Sequence, residues 1–143
     1  MQYEKLDDTY VIKIEQGEAV VESLTGFCVN KNIVNAEFSG IGAVKGLTCG
    51  YYDLAQKKYY FTDYPDLVEV VSLTGNVLLK DDKPFIHIHG VFTDTKNQAF
   101  GGHISKMTVG VVLEVILRPL MGNIKRSLDT CIGLALIDIK ATE

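Results

Sequence analysis

From Val34 to the end of the chain, the sequence is a succession of short runs rich in β-branched and aromatic residues, separated by turn signals. The runs are Ala36 to Ser39, Val44 to Tyr52, Tyr59 to Thr62, Leu67 to Leu73, Asn76 to Leu79, Phe85 to Thr93, Val109 to Leu117 and Leu134 to Ile139. Connections such as Asp53-Leu54-Ala55-Gln56-Lys57-Lys58, Asp81-Asp82-Lys83-Pro84 and Asp94-Thr95-Lys96-Asn97 are short and suit hairpins in an antiparallel meander. Ahead of them, Tyr10 to Glu15 reads as a strand ended by Gly17. Only the next segment, Glu18 to about Lys31, has helical periodicity. Its Val20, Val21, Leu24, Phe27 and Cys28 form one apolar face, Glu18 suits the N-terminal dipole, and Asn30 or Asn32 can cap the C-terminus. That face is expected to pack on a sheet, which makes the fold class α+β.

The 143 residues fit a single domain, 1–143, large enough to bury roughly 70% of the surface of the unfolded chain. Hydrophobic residues make up 47% and charged residues 22%, a composition that folds. The formal net charge is −4, there are only two arginines, Arg118 and Arg126, and no dense basic run occurs, so DNA is not the favoured partner. Cys28, Cys49 and Cys131 are odd in number, widely spaced and free of any Cys-x-x-Cys pair; they read as reduced thiols. The polar start Gln2 to Asp8 is no signal-peptide core and no apolar stretch reaches the roughly 20 residues of a membrane span, so the expected location is cytoplasmic.

The chain's only three histidines fall within one predicted hairpin. Strand alternation in Phe85-Ile86-His87-Ile88-His89-Gly90-Val91-Phe92 puts His87 and His89 on one face and Ile86, Ile88 and Phe92 on the other. Two such residues stand roughly 6.6 Å apart, a span that inward-leaning rings can close onto one ion at about 2.0 Å. His103 follows a turn, in Phe100-Gly101-Gly102-His103, where the returning strand lies beside the first. Gly101 and Gly102 let the strands and a ligand approach closely. Three neutral imidazoles suit Zn²⁺, or Ni²⁺, Co²⁺ or Cu²⁺, and leave a further position for water, a substrate or a group from another subunit. Acidification near pH 6.5 would release the ion. The alternative is that His87 and His89 sit on a solvent face and His103 is a loop residue.

Other features are weaker. Gly40-Ile41-Gly42-Ala43-Val44-Lys45-Gly46 resembles a dinucleotide loop, but a strand follows it, so Gly40 and Gly42 read as a bend relieving a strand crossing, or as the floor of the metal pocket. Glu114, inside the apolar run Val111 to Leu117, is either a carboxylate partner for a histidine or an exposed side chain; the run itself favours self-association. Cys49 reads as a buried thiol before a nucleophile. Of Tyr51, Tyr52, Tyr59 and Tyr60, one member of each pair is expected to face inward.

Leu67-Val68-Glu69-Val70-Val71-Ser72-Leu73-Thr74-Gly75-Asn76-Val77, Pro84-Phe85-Ile86-His87-Ile88-His89 and Phe100-Gly101-Gly102-His103, together with Ser39 to Val44, resemble the plants and prokaryotes conserved (PPC) domain over about residues 8 to 140. The resemblance implies a mostly antiparallel β-sheet flanked by one long amphipathic helix and short helices, a homotrimer, and a metal held at His87, His89 and His103. Plant relatives carry a DNA-binding AT-hook ahead of this domain, and no such segment stands in these residues; a DNA-associated scaffold is therefore the second reading. A cupin-like metalloenzyme is the third, but a cupin expects a glutamate where Phe92 and Thr93 stand. The leading expectation is a trimeric, cytoplasmic metal-binding protein, zinc being the first choice, that binds or acts on a small molecule.

Overall fold

The chain's structure, a computed structural model, describes residues 1–139. Positions 140–143, the tail of the expected domain, lie outside the described residues. Strands account for 67% of the described residues and helix for 8%, so the fold is mostly β. This corrects the α+β expectation of a sheet flanked by one long helix and short helices. The elements are β1 (Gln2–Leu6), β2 (Thr9–Glu15), α1 (Val20–Asn30), β3 (Ala36–Asp53), β4 (Lys58–Tyr64), β5 (Val68–Lys80), β6 (Lys83–Thr93), β7 (Ala99–Pro119), β8 (Lys125–Asp129) and β9 (Leu134–Asp138).

The helix is short because both of its ends are taken by other structure. Glu18 does not sit in its first turn: its carboxylate accepts from the Glu15 N–H at 2.7 Å and from the Met1 amino group, and its carbonyl accepts from the Val109 N–H at 2.9 Å. At the other end Asn32 adopts a left-handed φ of 54°, the Ile33 N–H reaches the Cys28 carbonyl at 2.8 Å, and the Asn32 N–H reaches the Val29 carbonyl at 3.2 Å. This is the Schellman arrangement, and it stops the helix at one of the two asparagines expected to cap it. Val20, Leu24, Phe27 and Cys28 are buried, and α1 packs on β6 and β7. Among the described residues no further helix occurs, and the β3–β4, β5–β6 and β6–β7 connections turn through left-handed residues at Lys57, Asp81, Asp82 and Asn97.

Several runs that look separate in the sequence are single long strands. β3 joins Ala36–Ser39 to Val44–Tyr52, β5 joins the two runs either side of Thr74-Gly75, and β7 joins the His103 strand to the Val109–Leu117 run. The bend expected at Gly40 and Gly42 is present as bulges inside β3. Register shifts occur at Gly40/Gly42 against β5 and Gly42/Val44 against β7, and a Cβ on Gly42 would lie 2.1 Å from the Val112 carbonyl oxygen.

Length and bending have a topological result. β3 pairs with both β5 and β7, and β6 also pairs with both β5 and β7, so these four strands close a hydrogen-bonded circuit. The core they build includes Leu73, Val77, Ile88, Phe92, Leu113, Val115 and Leu117. β1 and β8 carry no clear alternation and are not foreseen from the sequence; every residue of β1 is exposed. β8 is held in place by Asn35, the one buried polar residue among those described. Its side chain donates to the Ile124 carbonyl at 2.9 Å and accepts from the Ile124 N–H at 2.9 Å.

Candidate metal centre

The strand period decides which side chains of β6 meet. Ile86, Ile88 and Phe92 point into the core, which turns His87 and His89 to the opposite face. Across the ladder His89 lies directly opposite His103 of β7, and His103 in turn pairs with Gly50 of β3. The three imidazoles therefore converge, with ring centroids 5.0, 5.1 and 5.3 Å apart. One ring nitrogen from each lies within 4.8 Å of the others. Ligands at tetrahedral positions about 2.0–2.1 Å from an ion stand roughly 3.4 Å apart, so modest ring rotations complete the convergence.

This closeness depends on Gly101 and Gly102. A Cβ at Gly101 would lie 2.2 Å from the Gly90 carbonyl oxygen, and one at Gly102 would lie 2.5 Å from the Gly50 carbonyl oxygen. β6, β7 and β3 are thus drawn together immediately beside His103.

The walls of the site are aromatic and cationic. Tyr59 stacks on His103 at 4.7 Å, and Phe61 stacks on Tyr59 at 5.2 Å. Arg126 reaches in from β8: its Nη2 donates to the Asn76 side-chain oxygen at 2.9 Å and lies 3.2 Å from His87 Nδ1, while Nη1 donates to the Ala135 carbonyl at 3.1 Å. Burial, and then the Arg126 guanidinium and the neighbouring rings of His103 and His89, push the His87 pKa down to about 4. Burial, His89 and Arg126 lower that of His103. Both rings are neutral at pH 7, the form that binds metals.

The donor set fits a divalent transition cation: three imidazoles without a carboxylate suit zinc and its neighbours and leave a position open. His103 Nδ1 is buried with no hydrogen-bond partner among the described residues, a cost that a ligand to this ring would relieve.

The other sequence candidates are placed elsewhere. Glu114 is exposed, opposite Lys13 and Ile41, and with Gly40 lines a groove on the outer face of β2, β3 and β7, not the histidine cluster. Gly42 abuts the Val112 backbone. Burial pushes the Cys28 thiol up to about 12 and also raises that of Cys49, which leaves neither suited to nucleophilic work. In the tyrosine hairpin Tyr52 and Tyr59 are half-buried, whereas Tyr51 and Tyr60 are exposed and stacked at 5.7 Å. Arg126 and Asn76 carry no sequence signal of their own. Tyr59 has one, its alternation with Tyr60.

A bent, closed β-domain that presents three imidazoles at a strand junction is the class defined by this fold and site. The chain belongs to the Plants and Prokaryotes Conserved domain family, whose profile matches residues 1–121. It is similar to the plant- and prokaryote-conserved protein of Pyrococcus horikoshii, at 32% identity and a TM-score of 0.89 over 99% of this chain and 97% of that one. A metal-containing protein of Archaeoglobus fulgidus is 34% identical, with a TM-score of 0.85 over 95% and 97% of the two chains. A proposed DNA-binding protein of Bacteroides thetaiotaomicron is 25% identical, with a TM-score of 0.92 over 96% of each. None of the curated proteins matches the chain. The family match assigns the histidine strand to this fold and not to a cupin.

Proposed function

We propose that this chain is a homotrimeric metal-binding domain in which His87, His89 and His103 hold a divalent cation, zinc by preference, and present it to a small ligand. The observation that carries the proposal is the convergence of three imidazole nitrogens within 4.8 Å, from two strands whose register brings them together. The metal-containing relative from Archaeoglobus fulgidus supports it. A cation held here would supply Lewis-acid polarisation to an oxygen at the open position. The protein's own contribution is to hold neutral rings, to wall the site with Tyr59 and to place a guanidinium at its edge.

Self-association is supported by an apolar outer face, where Val11, Ile41, Val71 and Ile116 are exposed around a groove of about 790 Å³. DNA is disfavoured. Arg118 is paired with Glu37 and Arg126 is turned into the histidine site, which leaves neither arginine free for a phosphate backbone on a chain of net charge −4. No described helix is long and apolar enough to cross a membrane, and a cytoplasmic location is part of the proposal.

Metal analysis of the purified protein beside a His87→Ala, His89→Ala, His103→Ala variant, with the mass of each determined in solution, tests the reading. One ion per chain in the parent and none in the variant is expected, at the mass of three chains. Equal metal content in both would end the histidine proposal.

A further inference from the structure

Arg126 is a cation beside a cluster suited to another cation, and no carboxylate among the described residues bonds to it. Its partners there are all neutral: the Asn76 side-chain oxygen, the Ala135 carbonyl and His87 Nδ1. Its Nε is buried without a partner among the described residues. Lys80 Nζ and the Arg126 guanidinium each lie against the Phe85 ring, 5.2 and 5.7 Å from its centre, and Phe85 shares a strand face with His87. The charged side chain bonded to the histidine cluster is therefore one unfavourable to a lone divalent ion.

The hydrogen bond to His87 sharpens the conflict. A guanidinium only donates, so His87 Nδ1 accepts and the ring proton sits on Nε2. If an ion takes Nδ1, it displaces the Arg126 N–H directly. If it takes Nε2, the proton must move to Nδ1, where it faces the same Arg126 donor. Either nitrogen leads to one result: loading the site frees an Arg126 N–H next to the ion. The group that satisfies a freed guanidinium N–H and an adjacent dication together is an anionic oxygen.

We propose that Arg126 recruits an anionic ligand, a carboxylate or a phosphate, that spans its guanidinium and the cation at the three histidines, so that cation and anion bind with positive coupling. The proposal rests on the metal reading above and names the ligand class for that site. Arg126 lies beyond residues 1–121, the part that matches the family profile, so this feature is read from this chain's own structure.

The test uses Co²⁺ as the probe, titrated into metal-free protein and followed by its visible absorption, alone and with acetate or inorganic phosphate at matched free Co²⁺. For the wild-type protein, one of the two anions is expected to raise Co²⁺ affinity by about tenfold or more and to shift the absorption band. The larger effect identifies the carboxylate or the phosphate as the ligand class. Arg126→Met is expected to bind Co²⁺ alone at least as tightly as wild type and to retain less than about a twofold anion effect. Arg126→Lys, which keeps the charge, is expected to fall between them. Circular dichroism establishes that each variant is folded. Wild-type coupling preserved in Arg126→Met, or Co²⁺ bound by the wild type with no response to either anion, would overturn the anion role while leaving the metal site standing. Failure of the wild type to bind Co²⁺ would overturn both.

Discussion

Replacing Gly101 by valine is expected to destabilise the protein by about 4 kcal/mol or more and to abolish cation binding at the same time. The Cβ position at Gly101 lies 2.2 Å from the Gly90 carbonyl oxygen, and the obstructing atom is backbone, which cannot rotate away. The collision can be relieved only by separating β6 from β7. That separation breaks the ladder that sets His89 opposite His103. Stability and metal affinity should therefore fall together, as read by urea unfolding and by Co²⁺ titration. A Gly101→Val protein with wild-type unfolding and wild-type binding would show that the close approach at this junction is not what assembles the site.

Acid should weaken the metal-free protein over a defined window. The His87 pKa is about 4 in the folded chain, against 6.5 for the free ring, so the unfolded state binds the proton more readily. Stability then falls as pH drops below about 6.5, and the loss stops growing below about 4, where both states are protonated. For this half-buried ring the loss is on the order of 2 kcal/mol once solvent screening is allowed for, and His103 adds to it in the same direction. Unfolding midpoints of the metal-free protein between neutral pH and about pH 4 read this directly. A His87→Gln variant should flatten the slope; an identical slope in that variant would remove His87 as its source.

The histidine site is legible in the sequence because it rests on two local rules. The two-residue period of a strand puts His87 and His89 on one face, and a short hairpin returns His103 beside them. The register that sets His89 against His103 is read from the structure. The core positions Ile86, Ile88 and Phe92 follow from the same alternation. Arg126 is not legible. It reaches His87 across 39 positions of sequence, through a single parallel pairing of Leu79 with Lys125 and the Asn35 clamp on Ile124, and neither leaves a periodic trace.

The fold class departs from expectation for a related reason. The helical period from Val20 to Cys28 does mark a helix, but a helix's length is set by what competes for its ends. Here Glu18 is diverted to the chain terminus and Asn32 closes the last turn. Strand length departs from expectation at the glycines. The expected runs stop short of Gly40, Gly42 and Gly75, but the bend read at Gly40 and Gly42 lies inside β3, and missing Cβ atoms let β3 and β5 continue through bulges and crowded crossings. The closed circuit of four long strands follows from that continuity. Glu114 takes the exposed alternative: alternation along β7 sends it outward, between the buried Leu113 and the buried Val115.

The central claim is that three imidazoles share one cation, and anomalous scattering from crystals of metal-loaded protein tests it most directly. Data collected at the absorption edge of the bound metal should place one peak per chain within about 2.0–2.2 Å of a nitrogen of each of His87, His89 and His103. A peak bound to fewer than three of these rings, or a fully loaded protein with its metal elsewhere, would contradict it.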